Sequence, residues 1–204
     1  MKKKIPTVLK AFVLITSTIF AQSAASILTP AAPVIQGETA SAGAMHRMVI
    51  TVDGTLWGQG INRRGQLGDG TTINRHSPVH IMGNVIAVSS GGMHTMAITA
   101  DGTLWGWGWN EDGQPGDGTA TTRRSPVCIM DNVAAVSAGG LHTITISTDG
   151  TLWGRGWNEF GQPGDGTTTY RFSPVRIMDN IKLSGTVQSV TSAPLPTGQF
   201  PCKN

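Results

Sequence analysis

Between residues 41 and 180 apolar and polar positions alternate in short runs, and nowhere do they recur with the step of a helix face. His94-Thr95-Met96-Ala97-Ile98-Thr99 sets Met96 and Ile98 on one side, the period of a half-buried strand. Asp101-Gly102 follows as a two-residue hairpin signal, in which a type I′ turn takes positive φ at both positions. Thr103–Trp109 is the returning strand, rich in Trp and interrupted by Gly106 and Gly108, where a neighbouring backbone or ring comes close. Asn110–Arg124 is polar and glycine-rich, a long loop. Ser125–Met130 gives a third strand, with Pro126 near its start where a missing N–H does least harm. Asp131-Asn132 turns the chain, Val133–Ser137 gives a fourth strand, and Gly139-Gly140 opens the next unit.

The same four-strand pattern is written three times. Asp53-Gly54-Thr55-Leu56-Trp57 returns at Asp101 and again at Asp149, a step of 48 residues with nothing gained or lost. His46/His94/His142, Asn62/Asn110/Asn158, Asp69/Asp117/Asp165 and Pro78/Pro126/Pro174 keep the same step. Four strands per repeat of this length describe a propeller blade, which buries its faces against its neighbours. The fold class is therefore all-β, with about three four-stranded antiparallel blades.

The runs Ser89-Ser90-Gly91-Gly92-Met93-His94-Thr95 and Asp101-Gly102-Thr103-Leu104-Trp105-Gly106-Trp107-Gly108, with Asn110 and Gly113-Gln114, resemble the RCC1 (regulator of chromosome condensation) repeat. The third copy matches equally well, and the first does so with small changes. The resemblance implies a seven-bladed propeller, so three blades are incomplete relative to that ring. Pro115 and Pro163 stand where the family usually has Leu, as at Leu67. Repeats are expected over 41–88, 89–136 and 137–180, after a lead-in over 26–40 that includes Pro33-Val34-Ile35, a partial blade. After Asn180 the pattern stops, leaving a Ser/Thr/Pro-rich tail over 181–204. The open faces of such a stack call for a cover, by the tail or by a second copy that completes the propeller; a truncated fragment leaves them bare.

Residues 1–25 read as a Sec-type signal peptide. Lys2, Lys3, Lys4 and Lys10 precede an apolar run over 11–21, too short to span a bilayer, and small residues follow. Cleavage there implies a secreted, periplasmic or cell-surface protein with no stable membrane anchor. It also changes the charge. The basic isoelectric point near 9.1 belongs to the signal. Eleven basic and twelve acidic side chains remain, no footprint for a nucleic acid. Cys128 and Cys202 are the only cysteines, too few for a disulfide framework, though export permits them to pair.

Candidate chemistry is sparse. The histidine row is expected to be framework rather than a metal site, because adjacent blades hold its members apart. Asp69, Asp117 and Asp165 each offer one carboxylate in a Gly-Asp-Gly-Thr run, which suits a turn better than a calcium loop. Trp57, Trp105 and Trp153 recur in register and read as core. No Ser-His-Asp or Cys-His arrangement breaks the symmetry, so neither enzyme activity nor a cofactor or metal is expected. Variety is confined to slots where the copies disagree: Gln59/Trp107/Arg155, Arg64/Asp112/Phe160, His76/Arg124/Phe172 and His80/Cys128/Arg176. From these, Gln59, Trp107, Arg155, Arg64, Asp112, Phe160, Arg124, Phe172 and Arg176 form the candidate binding surface, with Trp, Arg and Phe the types enriched in interface hot spots.

The function expected is a non-catalytic protein–protein interaction module whose partner is another protein. The resemblance implies two jobs for relatives, nucleotide exchange on a nuclear GTPase and, in secreted bacterial members, inhibition of β-lactamases. Export, neutral charge and blade number speak against the first. The rival reading is a glycan-binding surface in which Trp107, Trp109, Trp157 and Phe160 stack on sugars.

Overall fold

A computed structural model of the chain describes residues 40–182. The signal peptide, most of the lead-in, nearly all of the tail and Cys202 lie outside the described residues. Twelve strands form three antiparallel sheets. The first holds β1 (Ala40–Ala42), β2 (His46–Ile50), β3 (Leu56–Gly60) and β4 (Arg75–Met82). The second holds β5 (Val85–Ser90), β6 (His94–Thr99), β7 (Leu104–Gly108) and β8 (Arg123–Met130), and the third β9 (Val133–Ala138), β10 (His142–Ser147), β11 (Leu152–Gly156) and β12 (Arg171–Met178). Each sheet is a meander in chain order.

Sheet and sequence repeat are out of step by one strand. Val133–Ser137 is grouped by the sequence with the unit before it. In the structure this strand pairs with β10, Thr143 lying opposite Ala138. The reason is local: Asn132, like Asn84 and Asn180, has φ near 60°, which turns the chain out of the finished sheet into the next. The seam is then closed by the Val133 N–H donating to the Gly102 carbonyl, as Val85 does to Gly54. Ile181 donates to Gly150 in the same way, so the pattern runs one residue past Asn180.

The hairpin signal also resolves differently. Gly102 has φ +81°, but Asp101 does not share positive φ, so the turn is not type I′. The Gly102 N–H donates to the Thr99 carbonyl and Thr99 N–H to the Thr103 carbonyl, a type I turn closed by a left-handed glycine. The Asp101 carboxylate accepts from the Thr99 hydroxyl and the Thr103 N–H, which fixes it inside the turn.

Strand alternation gives each sheet two faces. Thr95, Ala97 and Thr99 with Trp107 form the leading face of blade 2, packed on Met48, Ile50, Leu56 and Leu67 of blade 1. His94, Met96, Ile98 and Leu104 form its trailing face, against blade 3, and β6 is buried throughout.

A hydroxyl relay fastens each seam. The Thr95 hydroxyl lies 2.8 Å from the Gln66 carbonyl and 2.8 Å from His46 Nε2. A carbonyl only accepts, so the single hydroxyl proton goes there, and Nε2–H must donate to Thr95 Oγ1. His46 is thereby held as the neutral Nε2–H tautomer, its Nδ1 buried without a partner. His94, Thr143 and Gln114 repeat the relay at 2.9 and 2.8 Å. Burial pushes His46 down to about 4. His94 is pushed down to about 3, by burial first and by the Arg155 charge second.

The long β3–β4 loop and its two counterparts are tied by one carboxylate each. Asp69 accepts from Asn62 Nδ2 (2.9 Å) and Thr71, and pairs with Arg75 at 2.7 Å. Asp117–Arg123 and Asp165–Arg171 repeat this at 2.5 Å. In blade 1 the Leu67 N–H also donates to Asn62 Oδ1 at 2.9 Å. Pro115 and Pro163 have no N–H, and Asn110 Oδ1 and Asn158 Oδ1 are left buried without a donor. Pro115→Leu should restore that bond. A buried acceptor regaining its donor is worth about 1–3 kcal/mol, against about 0.5–1 kcal/mol for releasing a proline in the unfolded chain. A higher urea midpoint for the variant is expected; an unchanged or lower one would contradict this account.

Candidate interaction surface

The four disagreeing slots occupy different parts of the blades. Slot 59/107/155 lies on the leading face. Trp107 and Arg155 are both wholly buried there, inside the two seams, so neither belongs to a binding surface. The Trp107 indole donates to the Gln66 carbonyl at 3.0 Å and fills the space left by Gly68, where a Cβ would come within 2.7 Å of Nε1. Arg155 fills the same space above Gly116, and its Nη2 donates to Thr145 Oγ1 at 2.8 Å. Its Nε and Nη1 have no partner, and burial lowers its pKa to about 9, which leaves it charged at neutral pH. The physical reason is shared: a tip glycine leaves a hole facing the next blade, and any long side chain in the slot is drawn into it. Gln59, with no described blade in front of it, lies on an open face, accepting from Arg47 Nη2 and donating to the His76 carbonyl.

Slot 76/124/172 begins the outer strand beneath the preceding loop. The Arg124 and Phe172 carbonyls accept from the Gly70 and Gly118 N–H groups. Arg124 is exposed and Phe172 half-buried. Slot 80/128/176 faces the second-strand Trp across the sheet: Trp57 pairs with His80, Trp105 with Cys128, Trp153 with Arg176. Arg176 is exposed and bonded to Asp179. Cys128 is not a free thiol. Its expected pairing with Cys202 falls on a residue outside the described ones.

Slot 64/112/160 is the loop tip, and the structure brings it together with aromatic side chains. The Arg64 guanidinium lies 5.2 Å from the Trp109 ring centroid while Nη1 pairs with Glu111 at 2.7 Å. One blade on, the tip is Asp112, whose Oδ2 accepts from Gln114 Nε2 at 3.0 Å. Burial raises its pKa; the Gln114 bond opposes the rise and Glu111 adds to it. On blade 3 the tip is Phe160, 77% exposed, standing edge-on to Trp157 at 5.4 Å and 89°. Trp157 Nε1 is held by the Tyr170 hydroxyl at 2.7 Å, which fixes its ring. The result is a rim of one cation–π pair, one carboxylate and one exposed Phe backed by a half-buried Trp, on loops fastened by the Asp–Arg ties.

Sequence reasoning singled out Arg64, Asp112 and Phe160, which the structure places at the loop tips, and did not single out their neighbours Glu111 and Tyr170 or, on the open face, Arg47. Their slots also disagree, as Arg63/Glu111/Glu159, Asn74/Thr122/Tyr170 and Arg47/Thr95/Thr143, so the same test applied to every position finds them. The Gly-Asp-Gly-Thr carboxylates are consumed by their ties. Burial acts to raise Asp165, yet bonds from Thr167, Arg171 and Asn158 hold it down at about 2. Among the described residues no three His, Cys, Asp or Glu side chains converge as a metal set.

A family model described as the regulator of chromosome condensation (RCC1) repeat matches residues 53–98 and 101–146, and a second model of that description matches 85–114 and 133–162. Together they cover just over half of the chain. The chain belongs to the RCC1 repeat family. Among solved structures it is similar to human WBSCR16, with 27% identity and a TM-score of 0.61 over 68% of this chain and 37% of that one. It is also similar to Prp20p of Saccharomyces cerevisiae, at 23% identity and a TM-score of 0.58, over 69% and 38%. Yeast RCC1 (Prp20) bound to Kap60 gives 23%, 0.57, 69% and 36%. The yeast likeness shows the fold, and that structure is described with its binding to Gsp1p and histones. No curated protein sequence matches the chain. The three sheets are thus RCC1 propeller blades, and the chain spans well under half the length of these solved relatives.

Proposed function

We propose that this RCC1-repeat chain is an exported, non-catalytic protein-binding module that meets its partner with the loop-tip rim. The observation that carries the reading is the exposed Phe160, set against the half-buried Trp157, on a rim that also bears Arg64 over Trp109. Large aromatic and arginine side chains held rigid at a surface lose little freedom on binding, which is what hot spots require. Export rests on Lys2, Lys3, Lys4, Lys10 and the apolar run after them. Trp107, wholly buried, is removed from any stack of rings for a sugar.

The test is crosslinking in the cell envelope and culture medium with a photoreactive residue in place of Arg63, beside the rim. A discrete adduct that disappears with Phe160→Ala and with Arg64→Glu is expected, with both variants keeping the wild-type unfolding midpoint. An adduct indifferent to both substitutions, or a chain retained in the cytoplasm with its first 25 residues intact, would overturn the reading.

A further inference from the structure

The loop tips repeat across the two covered seams, but their charges do not. At the first seam the tip of blade 1 lies on blade 2: Arg64 stacks on Trp109 at 5.2 Å and pairs with Glu111 at 2.7 Å. The next residue, Gly65, sits so close to the start of β8 that a Cβ there would come 2.8 Å from Arg124 Cα. At the second seam a Cβ on Gly113 would come 2.7 Å from Phe172 Cα, at the start of β12. The tip of blade 2 is therefore laid on blade 3 as the tip of blade 1 is laid on blade 2, and both walls of this seam lie within the described residues.

One repeat on, Trp157 and Glu159 keep the tryptophan and the carboxylate of Trp109 and Glu111, while both arginines beside them are replaced. Arg64 becomes Asp112, Arg124 becomes Phe172, and Thr122 becomes Tyr170, whose hydroxyl holds the Trp157 indole. The second seam thus keeps the stacking ring and acid of the first and lacks its guanidinium. Trp157 is half-buried, and among the described residues no cation lies over it. Glu159 is exposed and makes no ion pair among the described residues, and Arg171 nearby is consumed by Asp165. Asp112 accepts from Gln114 of its own loop, and burial raises its pKa with no cation to offset the rise. Two carboxylates without a counter-ion beside an aromatic cluster attract a cation. Arginine suits the place best, because its planar group stacks on a ring and pairs with a carboxylate at once.

We propose that Trp157, Glu159 and Asp112 form a receptor for an arginine side chain of the protein partner, of which Arg64 over Trp109 is the chain's own occupied copy. The proposal rests on the rim being the partner surface and names the chemistry read there. The test is a titration of the chain with Nα-acetylarginine amide, followed through the indole N–H resonances by NMR, with Trp157→Phe to assign that of Trp157. The Trp157 resonance should shift and saturate while that of Trp109 stays in place. The citrulline analogue, which keeps the shape without the charge, should bind at least about fivefold more weakly. Asp112→Arg, which writes the blade 1 tip into blade 2 and fills the receptor from within, should abolish the shift. Glu159→Gln, at an exposed position, should weaken binding about threefold.

No shift at Trp157, equal binding of the citrulline analogue, or an undiminished shift in Asp112→Arg would overturn the proposal. So would a lysine analogue that binds as tightly, or a Trp109 resonance that moves as much. Probe binding without the envelope adduct would leave the receptor standing and sink the proposed rim partner. An adduct that depends on Phe160, with no probe binding, would do the reverse.

Discussion

Trp107→Ala is expected to remove the seam between blades 1 and 2 as a cooperative unit. The indole is wholly buried, touches the cluster of Met48, Ile50, Leu56 and Leu67, and donates to the Gln66 carbonyl. Truncating such a side chain costs about 3–5 kcal/mol, because the hole over Gly68 cannot collapse around left-handed glycines. Whole domains have about 5–15 kcal/mol to lose. In a stacked array each seam contributes a nearest-neighbour term, so the loss falls on one junction and uncouples blade 1 from the rest. Urea unfolding followed by tryptophan fluorescence should show a lower midpoint and a split transition. Phe160→Ala, at an exposed tip, should shift the midpoint by less than about 0.5 kcal/mol. Similar costs for the two would mean that the burial of Trp107 does not govern the seam.

Stability should also fall with pH well above the range in which carboxylates titrate. His46 and His94 are pushed down to about 4 and about 3, so the unfolded chain, with histidines near 6.5, takes up their protons first. Their contribution is therefore complete above about pH 6.5 and is lost as pH falls toward the folded values. Each buried histidine costs about 1.4 kcal/mol per pH unit in that window, so the pair gives a slope of about 3 kcal/mol per unit between pH 6 and pH 4. The tied aspartates act lower. Asp165, whose bonds outweigh its burial and hold it at about 2, loses its contribution only below the ordinary carboxylate value. Urea midpoints measured from pH 7 to pH 5 read mainly the histidine window. His94→Gln keeps an N–H for Thr143 and should remove about half the slope. A flat profile from pH 7 to pH 5 in the wild type would show that the relay does not hold its histidines neutral.

The strands were legible because period-2 alternation is a local signal, and the count was legible because the 48-residue step tolerates no exception in the described blades. The grouping of strands into sheets was not, since nothing in Val133–Ala138 itself says which neighbour it will pair with. That choice is made by Asn132, whose positive φ a sequence does not print. The failure at Trp107 and Arg155 has a related cause. A slot that differs between copies looks the same whether it faces solvent or a seam, and the deciding residues, Gly68 and Gly116, lie in another part of the chain. Arg64, Asp112 and Phe160 stand at loop tips, where no glycine hole draws the side chain into a seam. Pro115 and Pro163 were visible as departures, but their effect on Asn110 and Asn158 needed the bond that Leu67 makes.

The one-strand offset between repeat and sheet has an evolutionary consequence. A genetic breakpoint rarely respects a structural boundary, yet here none is needed. Loss or duplication of 48 residues between any two equivalent positions joins the front of one blade to the back of another. Every strand still finds its neighbour, and His46 would simply meet Thr143 in place of Thr95. Blade number can therefore drift by recombination while each junction survives intact, and selection on length acts only at the two ends of the array.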